Sequence, residues 1–122
     1  MEVQILNQHN SVVNSFLAEL RDVKVQKDSM RFRKNIERVG WFLGYEASKC
    51  LDFKTQSVNT PLAMAEEKTF SNALVVASVL RAGMPLHNGV LEVFDRAENA
   101  FISAYRIEAE DGTLDFKIEY NA

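Results

Sequence analysis

Apolar positions divide the chain into a helical first half and a strand-rich second half. Val3, Ile5 and Leu6 form a short set that fits either a strand or an extended lead-in. Asn10-Ser11 then supplies a cap, and Val12, Val13, Phe16, Leu17 and Leu20 recur at helical spacing up to Arg21. Lys24 to Lys27 is a polar joint. Asp28-Ser29 caps a longer helix whose stripe is Phe32, Ile36, Val39, Leu43 and Ala47. Trp41, Phe42 and Tyr45 fall outside that stripe, so more than one face of the C-terminal half is covered, either by a subunit partner or by a second layer of the same chain. Gly40 in mid-helix admits a neighbouring backbone.

Phe53 to Asn59 is polar and β-compatible, the pattern of an edge strand, which Thr60-Pro61-Leu62 breaks. Residues 63–72 read as a connection. Ala73 to Leu80 carries no charge and is rich in Val and Leu, which predicts a parallel strand covered on both faces. It stops at Arg81. Gly83 follows, and Pro85 suits the first turn of a helix carrying Leu86, Val90, Leu91 and Phe94. A second uncharged run, Ala100 to Tyr105, ends at Arg106, and a right-handed crossover would bring both strand ends to one edge of the sheet. Beyond it the pattern alternates, with Ile107 and Ala109 before an Asp111-Gly112 turn and Leu114, Phe116, Ile118 and Tyr120 after it, opposite Asp115, Lys117 and Glu119, which predicts a β-hairpin from Ile107 to Tyr120. Two buried strands and a hairpin make only part of a doubly wound sheet, which predicts that the chain belongs to a longer polypeptide.

Strand, tight loop and helix N-terminus together outline an anion site, since unpaired amides and the positive end of the helix dipole face the ligand. Arg81 adds a charge with bidentate geometry, although pairing with an acidic neighbour would satisfy it equally. A length of 122 residues suits one domain, and 47% hydrophobic with 25% charged residues is the balance of a soluble globular protein. A net charge of −3 offers no basic field for nucleic acid. The single cysteine, Cys50, excludes an intramolecular disulfide and reads as a small buried hydrophobe late in a helix. His9 has no metal-ligand spacing to His87 or Cys50 and reads as a surface histidine. Met1-Glu2-Val3-Gln4 has neither the basic nor the apolar segment of a signal peptide, and no apolar run is long enough to span a membrane, so the expected location is cytoplasmic.

Taken together, Leu20-Arg21-Asp22, Phe32-Arg33, Glu37, Gly40, Leu43, Tyr45-Glu46-Ala47, Thr60-Pro61, Val79-Leu80-Arg81-Ala82-Gly83, Asn88-Gly89 and Tyr105-Arg106 resemble the uracil phosphoribosyltransferases. The resemblance covers nearly the whole chain. It implies an α/β fold in which N-terminal helices and an edge strand (1–62) precede part of a parallel-stranded type I phosphoribosyltransferase sheet with a projecting hairpin (73–122). Residues 1–122 would then be one incomplete domain, the N-terminal portion of the whole. The implied activity is transfer of a phosphoribosyl group from phosphoribosyl pyrophosphate to N1 of uracil, giving uridine monophosphate and pyrophosphate.

By that resemblance Arg81, Ala82 and Gly83 form the pyrophosphate loop, Arg106 binds the donor and acts in catalysis, and Mg²⁺ arrives on the pyrophosphate. The hairpin corresponds to a mobile cover over the site, with a dimer arm as its other reading. A homodimer is implied, some members are activated by GTP, and neither nucleic acid nor membrane is an expected partner. Members with Gly-Leu-Gly-Met and Asp-Gly differ from Gly83-Met84-Pro85-Leu86-His87-Asn88-Gly89, where Asn88 replaces the carboxylate and His87 is placed either to reach a phosphate or on the helix surface. The stretch after Arg106 is longer than usual. The family's ribose-phosphate loop and uracil-recognition segment would fall beyond Ala122, so the isolated chain is expected to show little turnover. A pyrimidine-operon regulator on the same fold and a non-catalytic module using Trp41, Phe42 and Tyr45 are the alternatives.

Overall fold

The longest helix, α2 (Ser29–Ser48), begins at Asp28, whose carboxylate accepts from the Met30 and Arg31 amides at 3.1 and 3.0 Å. Such a cap contributes about 1 kcal/mol. The computed structural model describes residues 3–108 and 114–121, with the backbone alone at 105–108, 114–116 and 119–121. Helix α1 (Val12–Arg21) precedes α2, and between them Asp22 accepts from the Lys24 and Val25 amides to set a 3-10 turn at Val25–Lys27. Leu6–Gln8 is also a 3-10 turn, so the opening apolar set is a lead-in and not a strand.

Helices α1 and α2 dock through rings and charges. Phe16 stacks on Phe42 at 6.2 Å between centroids, and the Arg38 guanidinium lies 5.2 Å from the Phe16 ring centre. Beside them, Arg31 donates two bonds of 3.0 Å to the Glu19 carboxylate, and Asn35, only 1% exposed, donates to it at 2.6 Å. These partners hold the Glu19 carboxyl below its ordinary range, the Asn35 bond first and the charges of Arg31 and Arg38 with it, against the opposing pull of burial. Folding therefore weakens proton binding at Glu19. Its contribution to stability is complete above the unfolded carboxylate range and is lost as pH falls through the lowered folded value. In Glu19→Gln the acid limb of a Tm-against-pH curve, as pH falls through and below the ordinary carboxylate range, should be shallower than in the parent. Identical limbs would remove Glu19 from the acid response.

The expected stripe of α2 is not its most buried face. Leu43 and Ala47 are exposed, while Asn35, Gly40 and Gly44 are buried. Burial follows the glycines because α3 (Met84–Val93) crosses there backbone to backbone: a Cβ on Gly40 would lie 2.7 Å from the Leu86 carbonyl and 3.1 Å from the Gly89 Cα. The close approach expected at Gly40 is thus present. Cys50 lies just past α2 and is exposed, against the expectation of burial, because the helix ends before that position can be covered. Trp41, Phe42 and Tyr45 face the same chain's lead-in: with Val3, Ile5, Leu6 and His9 they line a groove of about 830 Å³. His9 is exposed on its rim, as expected of a surface histidine.

Strand β1 (Phe53–Asn59) has the bounds expected of it, but residues 63–72 are not a mere connection. Met64–Phe70 is a second strand, β2, antiparallel to β1 with Phe53 opposite Phe70 and Asn59 opposite Met64. Nearly every position of this two-stranded sheet is exposed, so no alternation of apolar residues marks it. Thr60 closes the turn, its hydroxyl donating to the Ala63 carbonyl at 2.6 Å. At the base, the Ser71 amide donates to the Asp52 carbonyl at 2.9 Å, and the Phe70 ring meets Phe94 edge-on at 5.9 Å.

The main sheet has the order β3 (Val75–Leu80), β4 (Glu98–Glu108), β5 (Leu114–Asn121). β3 and β4 are parallel, Val75 opposite Glu98 through Leu80 opposite Ser103, and β5 is antiparallel to β4. Helix α3 packs between this sheet and α2. Contrary to expectation, β3 is covered on one face only: Val76, Ser78 and Leu80 are half-buried, whereas Val75 and Val79 are 60% and 51% exposed. An uncharged run records that both faces avoid charge, and among the described residues only α3 supplies a cover. β4 also exceeds its expected bounds. It runs through Arg106 to Glu108, because its second half leaves β3 and pairs with β5. The Asp111-Gly112 turn lies outside the described residues, as does the side-chain alternation expected along most of β5.

Candidate functional site

Beyond the carboxyl end of β3 the chain needs only Arg81, Ala82 and Gly83 to enter α3. The Leu80–Arg81 peptide is cis. The Gly83 amide turns back to the Val79 carbonyl at 3.1 Å, and the Met84 amide donates to the Arg81 carbonyl at 3.2 Å. Gly83 is held close to the strand: a Cβ there would stand 2.7 Å from the Val79 carbonyl and 3.2 Å from the Ser78 Cβ. Only glycine fits without moving the strand, although its φ of −70° is open to any residue. Among the described residues no side chain caps the N-terminus of α3, and Pro85 in the first turn has no amide to satisfy.

Arg81 and Ala82 are exposed, and among the described residues no carboxylate pairs with Arg81. The acidic neighbour that could have occupied it is not seen. Arg106 sits on β4, three positions beyond Ser103, which is the partner of Leu80, and opposite Phe116 of β5. Both arginines therefore stand past the same end of the parallel pair. Arg106 is inside a strand, however, and not at its tip as the sequence suggested.

His87 meets neither of its expected placements. It is 3% exposed, its ring packs 4.9 Å from that of Phe101, and Nε2 lies 2.7 Å from the Asn99 side-chain oxygen. The first turn of α3 aims it at β4, while Asn88 next to it is exposed. Sequence reasoning had no means of finding this pair, since it exists only once the crossover sets α3 on β4. The Ser78 hydroxyl and His87 Nδ1 are likewise buried without a partner among the described residues. The groove of about 830 Å³ lies elsewhere, and none of Arg81, Ala82 or Gly83 lines it.

Parallel strands ending beside a short loop and a helix N-terminus place the chain among the α/β domains. The profile of the uracil phosphoribosyltransferase family matches residues 6–119, and the chain belongs to that family. It is 47% identical over all 122 residues to uracil phosphoribosyltransferases of two Porphyromonas gingivalis strains, covering 56% of their length. A Methanococcus maripaludis uracil phosphoribosyltransferase is 35% identical over 108 residues, 86% of this chain and 44% of that protein. In structure, the AQ2163 protein from Aquifex aeolicus superposes with a TM-score of 0.77 at 23% identity, over 99% of this chain and 55% of that one. The architecture is accordingly part of a type I phosphoribosyltransferase fold, and the chain spans a little over half the length of its Porphyromonas relatives. No described helix is long and apolar enough to cross a membrane.

Proposed function

We propose that this chain supplies the pyrophosphate-binding portion of a uracil phosphoribosyltransferase. The observation that carries the reading is an exposed Arg81, without a carboxylate partner among the described residues, at the mouth of a three-residue loop and a helix N-terminus, in a chain of that family. In the reaction N1 of uracil bonds to C1 of the ribose as the C1–O bond breaks, the electron pair leaves on pyrophosphate, and the N1 proton is lost. Negative charge grows on the leaving group. Loop amides and the Arg81 guanidinium, with Arg106 from β4, meet that charge where it develops and so lower the barrier. Arg106 serves in catalysis as well as in donor binding.

The loop residues suit the anionic face of the donor, not its metal. In this reading, as the family resemblance implies, Mg²⁺ would arrive on the pyrophosphate of the donor. When bound it neutralises part of the leaving-group charge. The β4–β5 hairpin lies beyond the same strand ends and serves as the cover that keeps water out. No acidic residue followed by Thr-Gly-Gly or Thr-Gly-Ala occurs in these 122 residues, so the ribose-phosphate and uracil contacts belong to sequence outside them. The isolated chain then binds without turning over. A second copy completing a homodimer, GTP as an activator and a cytoplasmic setting are parts of the same proposal.

Calorimetric titration of the chain with Mg²⁺-pyrophosphate and with phosphoribosyl pyrophosphate tests it directly. Both should bind and compete, and uracil-dependent pyrophosphate release should appear only when the chain is extended by the remaining portion of a relative. In that extended protein Arg106→Ala should lower turnover. Absence of binding to either compound overturns the proposal, and unchanged turnover removes Arg106 from the site.

A further inference from the structure

We infer that His87 and Asn99 are a positioning pair that fixes the Arg81–Gly83 loop against strand β4, an inference that rests on the phosphate-binding reading of that loop. His87 is tied in two directions. Its backbone amide donates to the Gly83 carbonyl at 3.0 Å, closing the first turn of α3 on the last residue of the loop. Its ring reaches across the layer to Asn99 on β4, 2.7 Å from Nε2 to Oδ1. The acceptor at Nε2 and the absence of a partner for buried Nδ1 among the described residues put the ring proton on Nε2, because the other tautomer would bury an N–H with no described group to receive it. Nε2–H therefore donates to the Asn99 oxygen. The Phe101 ring, 4.9 Å away, limits how far the imidazole can swing.

Asn99 pairs with Val76 in the parallel ladder and lies on the strand that carries Arg106 seven residues later. One imidazole thus connects the element that begins after Arg81 to the element that bears the second arginine. An aliphatic side chain at position 87 could fill the same space, but it would leave the start of α3 free to slide along β4. A hydrogen bond specifies one register where apolar packing tolerates several. The pair sets the spacing of the loop amides from β4 and touches no ligand.

The test uses the whole chain labelled with ¹⁵N, without ligand and then with Mg²⁺-pyrophosphate, in the parent and in His87→Leu, His87→Gln and Asn99→Ala. Imidazole nitrogen shifts in the parent should report the Nε2-protonated tautomer. Amide exchange at Gly83 and Met84 should quicken about tenfold in His87→Leu and Asn99→Ala, with α1 amides as the unchanged reference, and pyrophosphate affinity should fall by a similar factor. Gln can still donate to Asn99, so His87→Gln should keep both quantities within about twofold of the parent. Asn99 is exposed, and its replacement by Ala leaves the interior intact should His87→Leu fail to fold. An Nδ1-protonated ring, unchanged loop exchange in Asn99→Ala, a Gln variant as loose as the Leu variant, or faster exchange with undiminished affinity each overturns the inference. If the parent binds no pyrophosphate, the phosphate-binding reading fails while loop exchange still decides whether the pair positions the loop.

Discussion

Gly89→Ala is expected to cost on the order of 3 kcal/mol of folding stability, a large share of what a domain of this size has. A Cβ at position 89 would be driven into the backbone of Glu37, its carbonyl oxygen above all. That oxygen belongs to the middle of α2 and cannot rotate away, so α2 and α3 must separate along the whole crossing. Alanine's better helix propensity returns only about 1 kcal/mol. The informative comparison is Gly44→Ala, where the new methyl meets the Val93 side chain, its nearest atom at 3.1 Å. That atom is the Val93 Cβ, where the crowding is far milder than at Gly89, and this variant should stay within about 1 kcal/mol of the parent. Urea unfolding of the two variants checks the prediction. Equal midpoints would mean that the helices do not meet through their backbones.

Arg81→Ala is expected to weaken binding of Mg²⁺-pyrophosphate about a hundredfold, as loss of a preset cationic donor does at a site of developing charge. Folding stability should be nearly unchanged, within about 0.5 kcal/mol, because the side chain is exposed and releases no partner among the described residues. Arg96 supplies the control. It is exposed like Arg81, but it precedes β4 and so stands at the opposite end of the parallel pair. Arg96→Ala should leave affinity alone, and Arg81→Lys should recover only part of it, since an ammonium cannot reproduce the guanidinium fork. Calorimetry on the four proteins would reject the assignment if Arg96→Ala and Arg81→Ala lost affinity equally.

Local chemistry made the loop legible in the sequence. An uncharged run stopped by Arg81, a glycine two residues on and Pro85 in the next turn are all short-range signals, and each corresponds to a feature of the folded chain. The same holds for α1, for the Asp28 cap and for β1. Features that depend on a distant partner were not legible. Strand β2 leaves no pattern in the sequence, because Glu66, Glu67 and Lys68 have no apolar face to mark it. The most buried positions of α2 are set by where α3 crosses, so the glycines lie deeper than the large residues of the stripe. The burial of His87 depends on Asn99 in the same way, through a register that no local pattern encodes. The open second face of β3 shows the converse: the run announced two-sided cover, and the described residues provide one side.

Strand β4 answers to two neighbours at once. Ser103 stands opposite Leu80 on one side and Tyr120 on the other, and the register of β4 with β5 slips immediately beyond it. The hairpin is therefore anchored at the same level at which the chain leaves β3 to form its loop. A tilt of the hairpin would be delivered as a torque at Ser103, one residue from the peptide that opens into Arg81. In the proposed function, a ligand at the loop and the hairpin as its cover would share that serine as their common point of support.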